Sequence, residues 1–291
     1  MTPRILACGD SALSVEFGNS MDPALTARVR ALEAALMALA LPGIIETVPT
    51  FRSLMVHVDP LIVDFPALED RILSLVDQPP TDTAPPRRWI LPAVFGGPFG
   101  EDLPDVAARC GLTESGLIEA YVSATYRVGM IGYLPGFCYL SGLPEALAVP
   151  RRGAPRLRIP ASSLSIGGVQ TAIGTVEAPS GWHPIGRTPA RPYQPGRAPV
   201  ILFEPGDEIT FDPVPADAWP ALDAEAARQA VGSLAWRVAV SGCGHRRRVE
   251  EGGRLGERVR ESVPRLREVD LAPGPGVHLV AEAFPQIGDA L

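Results

Sequence analysis

Lysine is absent: all 26 basic residues are arginine. That removes a phosphate-binding loop of the Walker type, a Schiff-base lysine and a biotinylated lysine from the chemistry open to these 291 residues. Cysteine is sparse, and Cys8, Cys110, Cys138 and Cys243 form no CxxC pair. The four histidines are equally isolated. No metal site built from neighbouring ligands is expected, and the thiols read as reduced. No run approaches the roughly 18 apolar residues of a membrane-crossing helix. Residues 1–10 carry Arg4 and Asp10 in place of a long apolar core, so neither a membrane span nor a secretory signal is expected, and the chain reads as cytoplasmic. Positive charge is also short. A net charge of −7 argues against nucleic acid as the main partner, because a phosphate backbone demands a basic surface.

What is present suits a folded protein. Hydrophobic residues make up 46% and charged residues 20%, and the length allows two domains, each with its own core. Short apolar runs at 4–8 and 12–17, separated by Gly9-Asp10, predict a hairpin. A helix follows: Asp22 caps it, Pro23 suits its first turn, Leu25, Val29, Leu32, Leu36 and Leu39 recur along one face, and Gly43 lies just past its end. Strands at 44–48 and 54–57, a helix at 66–76 and a strand at 89–94 complete a β-α-β-β-α-β order with an extra strand in front. That is the split βαβ pattern of ferredoxin-like folds. The strand at Trp89 either completes this first sheet or opens the second domain, because the proline-rich segment 78–87 marks a boundary.

Helices are expected at 101–110 and 113–126, and beyond Val128 glycine and proline recur too often for helix. Short alternating segments at 158–160, 163–166, 172–176 and 200–204 predict a β-barrel or sandwich. A helix is expected at 219–231. Between Arg246 and Asp270, eight arginines face six acidic residues with several glycines, which predicts a poorly packed extension.

The densest stretch runs over 129–189: GMIGYLPGFCYLSGLP, VPRRGAPRLRIP and SIGGVQTAIGTVEAPSGWHPIGRTP. Arg151, Arg152, Arg156 and Arg158 fall in one loop stiffened by Pro150, Pro155 and Pro160, which suits bidentate contact with a carboxylate or phosphate; a solvated basic loop or an ion-pair cluster is the competing reading. Gly167-Gly168 permits either close approach to a ligand or a tight turn, and Gln170 offers both a donor and an acceptor. Glu177 is a candidate general base if burial raises its pKa, or else a structural partner of Arg187, and His183 stands near it in sequence. Trp182 reads as barrel core or as a platform, and Gly136, Phe137 and Tyr139 as core or as the rim of a small flat site. Cys138 is structural or a nucleophile.

These blocks, with Gly9-Asp10-Ser11-Ala12, Pro42-Gly43, Pro49-Thr50-Phe51-Arg52-Ser53-Leu54 and Asp59-Pro60, resemble the KipI / allophanate hydrolase subunit 1 family, which includes the B subunit of 5-oxoprolinase. The resemblance spans about 5–213. It implies an α+β protein with a ferredoxin-like N-terminal domain over 1–84 and a cyclophilin-like β-barrel domain over 85–232, while the arginine-rich extension over 233–291 lies outside it. It implies a hydrolase subunit, inactive alone, that works with a KipA-like partner (the C subunit of 5-oxoprolinase / allophanate hydrolase subunit 2) in ATP-dependent opening of 5-oxoproline to glutamate. ATP is used by the complex, and no cofactor or metal is assigned to this chain. A carboxyltransferase-related subunit of urea metabolism and a KipI-like inhibitor of a sensor histidine kinase are the alternatives. By the motif positions, Glu177 and His183 are the catalytic candidates, and Arg151, Arg152, Arg156, Gln170, Trp182 and Arg187 the candidates for binding a small anionic or amide substrate. The chain departs from the family pattern at Tyr121, Ser162, Val169, Ala172, Gly174, Thr175 and Ser180, so an altered substrate or lost activity is open.

Because the segment beyond Arg246 has little apolar surface to bury, truncation there is expected to leave the melting temperature within a few degrees of the full chain. A fall of many degrees in calorimetry would show a packed tail.

Overall fold

The computed structural model describes residues 3–76 and 86–228 and the backbone of 237–238. The extension expected at 246–270, the end of the 219–231 helix and most of the 78–87 boundary lie outside the described residues.

Strands β1 (Arg4–Ala7) and β2 (Ala12–Glu16) form the expected hairpin. Helix α1 (Pro23–Leu39) starts where Asp22 accepts a hydrogen bond from the Ala24 amide at 2.8 Å. Then come β3 (Ile44–Pro49), β4 (Ser53–Val58) and α2 (Phe65–Val76). The four strands make one antiparallel sheet in the order β1-β2-β4-β3. Alternation along β2 and β4 sends Leu13, Val15, Leu54, Val56 and Val58 to one face, where Val29, Leu32 and Leu36 of α1 and Leu68, Ile72 and Leu75 of α2 close a core.

Strand β5 (Arg88–Phe95), which contains Trp89, does not complete that sheet but opens the second one. The edge beside β2 is taken by β1 instead. Helices α3 (Leu103–Arg109) and α4 (Glu114–Val122) follow, the latter capped by Thr113 accepting from the Gly116 amide at 3.1 Å. Next come β6 (Tyr126–Ile131), β7 (Cys138–Ser141), β8 (Arg156–Ile159), β9 (Ser163–Gly167), β10 (Gln170–Ile173), β11 (Ala178–Ser180), β12 (His183–Arg187), β13 (Glu208–Pro213), α5 (Trp219–Arg228) and the short β14 (Arg237–Val238). The sheet order β12-β9-β10-β7-β6-β13-β5 closes through β12–β5 pairing, so the barrel expected from the turn-rich sequence is present. Strands β8 and β11 stand apart from it as a two-stranded ribbon.

Two expected elements are corrected. The strand expected at 200–204 amounts to one bridge between Ile201 and Tyr193, because Pro199 and Pro205 flank it and lack the amides a ladder needs. The helix expected to reach residue 126 stops at Val122, and Tyr126 begins β6 opposite Ile209.

Tyr121 and Tyr126 are buried in the barrel core with Phe211, and burial pushes both phenols well above their ordinary range. Cys138 is fully buried, its thiol donating to the Gly136 carbonyl at 3.2 Å, and burial raises its pKa, so the structural reading holds. Among the described residues no helix is long and apolar enough to cross a membrane.

Strand β5 runs parallel to β13, and buried Asp207 pins the start of the pair. It accepts from Arg87 Nη2 at 2.6 Å and Nε at 2.7 Å, from the Trp89 indole at 2.9 Å and from the Glu204 amide at 2.9 Å. Asp207→Ala leaves Arg87 and the indole without their acceptor and is expected to lower the unfolding free energy by about 3–5 kcal/mol. Urea denaturation checks it, and a loss below about 1 kcal/mol would show that the pair contributes little.

Candidate functional site

The chain entering α3 lies against β12 so closely that a side chain at Gly100 would overlap the Ile185 carbonyl. The Asp102 amide donates to the Pro184 carbonyl at 3.0 Å, which fixes the helix start on the same strand. Asp102 occupies the cap position of α3, yet its carboxylate does not cap the helix. It turns to the arginine loop, taking Arg152 Nη1 at 2.9 Å on Oδ2 and Arg156 Nη2 at 2.5 Å on Oδ1. Arg156 also pairs with Glu101 at 2.9 Å, and its bond to Asp102 raises its pKa further. Asp102 is only 3% exposed, so this is a desolvated ion cluster and not a surface pair.

Arg152 and Arg156 share the Asp102 carboxylate, and Arg156 meets Glu101 as well, which is the ion-pair arrangement weighed for this loop. Arg151 is the guanidinium left over: among the described residues no carboxylate pairs with it, and it lies 5.3 Å over the Trp182 ring.

Arg151 stands between two adjoining clefts. One, of about 340 Å³, is lined by Tyr133, Phe137, Tyr139, Pro179, Trp182 and Arg151. Its rings contact in sequence, with centroids 5.6 Å apart for Tyr133–Phe137, 4.8 Å for Phe137–Tyr139 and 5.8 Å for Tyr139–Trp182. Phe137, Tyr139 and Trp182 thus line one cleft, and Trp182, 5% exposed, is at the same time packed as core. The other cleft, of about 380 Å³, is polar and lined by Asp102, Asp105, Arg109, Arg151, Arg152 and His183. Asp105 pairs with Arg109 at 2.7 Å, which holds its carboxyl below the usual range.

His183 is buried at the start of β12. Its Nε2 lies 3.0 Å from the Pro150 carbonyl, which can only accept, so Nε2 carries a proton. Nδ1 is buried without a hydrogen-bond partner among the described residues, 3.7 Å from Asp102 Oδ2 and 4.0 Å from Asp105 Oδ2. Nδ1 thus faces two carboxylates.

The remaining candidates lie elsewhere. Glu177 is exposed and faces Arg158 at 3.6 Å, so the burial on which the general-base reading was conditioned is absent, and its ion-pair partner is Arg158 and not Arg187. Arg187 donates to the Ala161 carbonyl at 3.0 Å and stacks 4.7 Å from the Trp219 ring of α5, and its burial lowers its pKa. Gln170 begins β10, its Nε2 buried without a partner, and lines neither cleft. Gly167 admits the Trp182 ring, which a side chain there would strike, and so serves packing and not a ligand. Asp102 and Asp105 were missed because an aspartate at a helix start reads as a cap.

Comparison with known proteins gives a consistent picture. The family described as carboxyltransferase domain, subdomain C and D, matches residues 3–203. The chain is 36% identical over 212 residues to a protein of Escherichia coli O157:H7 named as the B subunit of 5-oxoprolinase, covering 72% of this chain and 95% of that one. A Bacillus subtilis protein of the same name is 33% identical over 223 residues, covering 72% and 91%. Among solved structures, TTHA0988 superposes with a TM-score of 0.64 at 31% identity over 70% of this chain, which spans only 40% of that one. Kluyveromyces lactis urea amidolyase shares the fold with a TM-score of 0.63 at 18% identity, over 77% of this chain and 16% of that one.

The ion cluster is open to a double-mutant cycle. Asp102→Asn and Arg156→Met are expected to couple by about 0.5–3 kcal/mol in unfolding free energy. Additive effects would show that the two side chains are independent.

Proposed function

Because this chain belongs to the carboxyltransferase domain family of subdomains C and D, we propose that it is the B subunit of an ATP-dependent 5-oxoprolinase that opens the lactam of 5-oxoproline to glutamate with a KipA-like partner. The observation that carries this reading is the near end-to-end match to proteins named as that B subunit, 95% and 91% of whose lengths are covered. In this reading residues 1–84 are a ferredoxin-like layer that supports a cyclophilin-like barrel over 85–232.

The two clefts suit such a substrate. A small flat ring fits the aromatic cleft, where edge and face contacts with Tyr139 and Trp182 orient it. Its carboxylate meets Arg151, which pairs with no carboxylate among the described residues. Arg152 and Arg156 act through Asp102 by holding the loop that presents Arg151. Cleaving a lactam requires a proton at the departing nitrogen, and in this reading His183, on the wall of the polar cleft beside Asp102 and Asp105, is the group that relays it. This reading assigns Glu177, exposed and outside both clefts, no role.

ATP drives the opening of an amide that resonance makes a poor electrophile. With no lysine in the chain, phosphate binding of the Walker type falls to another protein of the complex. The likeness to urea amidolyase, at 18% identity, is a likeness of fold, and no residue contact favours urea chemistry over lactam opening.

The purified chain is expected to turn over neither 5-oxoproline nor ATP, and the mixture with its cognate subunits to do both. In that mixture Arg151→Ala is expected to lower kcat/KM by roughly tenfold to a hundredfold, as for loss of a charge-assisted hydrogen bond. Turnover by the isolated chain, or an unaffected Arg151→Ala complex, would sink the corresponding part.

A further inference from the structure

The polar cleft beside α3 carries more positive charge than its ion pairs use. Its walls hold Arg109, Arg151 and Arg152 with Asp102 and Asp105, and Arg156 and Glu101 extend the network behind them. Four guanidiniums therefore meet three carboxylates, a local positive excess in a chain whose net charge is −7. The excess is Arg151, which is exposed and pairs with no carboxylate among the described residues.

The arginines on the walls also keep donors free. Arg152 spends Nη1 on Asp102 and Nε on the Ala154 carbonyl at 3.4 Å, and its Nη2 makes no hydrogen bond among the described residues. Arg109 engages Asp105 through Nε, and both side chains are about half exposed, so that pair is weak and yields to a stronger partner. On the same wall His183, 2% exposed, keeps Nδ1 without a partner among the described residues. The polar capacity of the wall is not used up within the chain.

Gly153 leaves the space open. It is exposed and lines the cleft, and a side chain there would meet no atom within 4 Å. Its φ lies outside the left-handed region, so the glycine provides room and not a turn. The cleft, of about 380 Å³, is thus bounded by guanidiniums from three residues and by bare backbone. A planar carboxylate is satisfied by the edge of one guanidinium, whereas a phosphate offers oxygens in several directions and carries more charge.

We propose that the polar cleft binds a phosphate, free or as the terminal phosphoryl group of a larger molecule, on Arg109, Arg151 and Arg152. Arg151, on the wall of both clefts, places that phosphate next to whatever occupies the aromatic one. That the cleft meets phosphate during turnover rests on the reading of this chain as part of an ATP-consuming enzyme, since ATP hydrolysis releases phosphate; the binding itself does not.

Calorimetric titration of the full chain with inorganic phosphate at low ionic strength is expected to show saturable binding. Gly153→Asp, which sets a carboxylate in the open space, is expected to weaken it by about tenfold or more through like-charge repulsion. Gly153→Ala is expected to change it less than about threefold. Acetate titrated into the wild-type chain, a readout that depends on no variant, is expected to bind at least about tenfold more weakly than phosphate. ADP is the remaining arm: affinity above that of phosphate, also reduced by Gly153→Asp, assigns the phosphoryl group to a nucleotide, and affinity below it assigns the cleft to free phosphate. No phosphate binding by the wild-type chain, binding that Gly153→Asp leaves unchanged, or acetate as tight as phosphate overturns the proposal. Phosphate binding as expected, with no 5-oxoproline turnover by the mixture with cognate subunits, leaves the site standing and removes the enzyme reading; turnover without phosphate binding does the reverse.

Discussion

The candidate site depends on one buried carboxylate. Asp102 stands where three pieces meet: the start of α3, the first residues of β12 and the loop that carries the arginines. A lone carboxylate that far from water would be costly, and two guanidiniums offset the cost. Satisfying Asp102 forces Arg152 and Arg156 to point inward, and that leaves Arg151, their neighbour in sequence, facing the clefts. The ribbon is held by the same charge, because Arg156 is its first residue. Remove Asp102 and the loop, the ribbon and the surroundings of His183 all lose their reference point.

Asp207 performs the same kind of task for the barrel. Parallel pairing of β5 and β13 joins the first and last strands of the closed barrel, far apart in sequence, and Asp207 draws Arg87, Trp89 and the Glu204 amide to one point at that seam. Both hubs use arginine, and arginine suits them: its fork engages two oxygens at once and keeps its charge when buried. A chain without lysine has only this cation for such places. Its guanidiniums are accordingly divided between structure, at Arg87, Arg152, Arg156 and Arg197, and solvent-facing positions such as Arg151 and Arg158.

Much of the fold was legible because periodicity reports burial. The helix from Pro23 and the strands around Pro49–Ser53 show their buried faces in the spacing of leucine and valine, and proline and glycine density marked the barrel. The partner of the strand at Trp89 was not legible, since it is set by Asp207, more than a hundred residues away. The site was legible as a segment and not as roles. Four arginines in one loop read alike in sequence, and only the position of Asp102 separates the neutralised pair from Arg151. Glu177 and His183 are six residues apart, yet one is on the ribbon rim and the other is buried at the base of the polar cleft. Strand β11 and the turn into β12 lie between them and change the environment completely.

The departures from the family pattern fall mostly away from the clefts. Tyr121 is wholly buried, stacked on Phe211 with centroids 5.4 Å apart, and its hydroxyl shares a hydrogen bond of 2.8 Å with Thr171 of β10. A tyrosine in that core requires an acceptor or donor opposite it, and Thr171 meets the requirement, so the substitution is absorbed inside the barrel wall. Ala172 is buried in the same strand, Ser162 donates to the Ala190 carbonyl, and Val169 sits on the exposed β9–β10 turn. None of these four side chains lines either cleft; Ser180 alone does so, at the ribbon edge of the aromatic one, where it accepts from the Trp182 amide and helps seat that ring. These departures therefore sit in the barrel wall and its turns, Ser180 excepted, while Arg151, Trp182 and His183 line the clefts that the proposed chemistry uses.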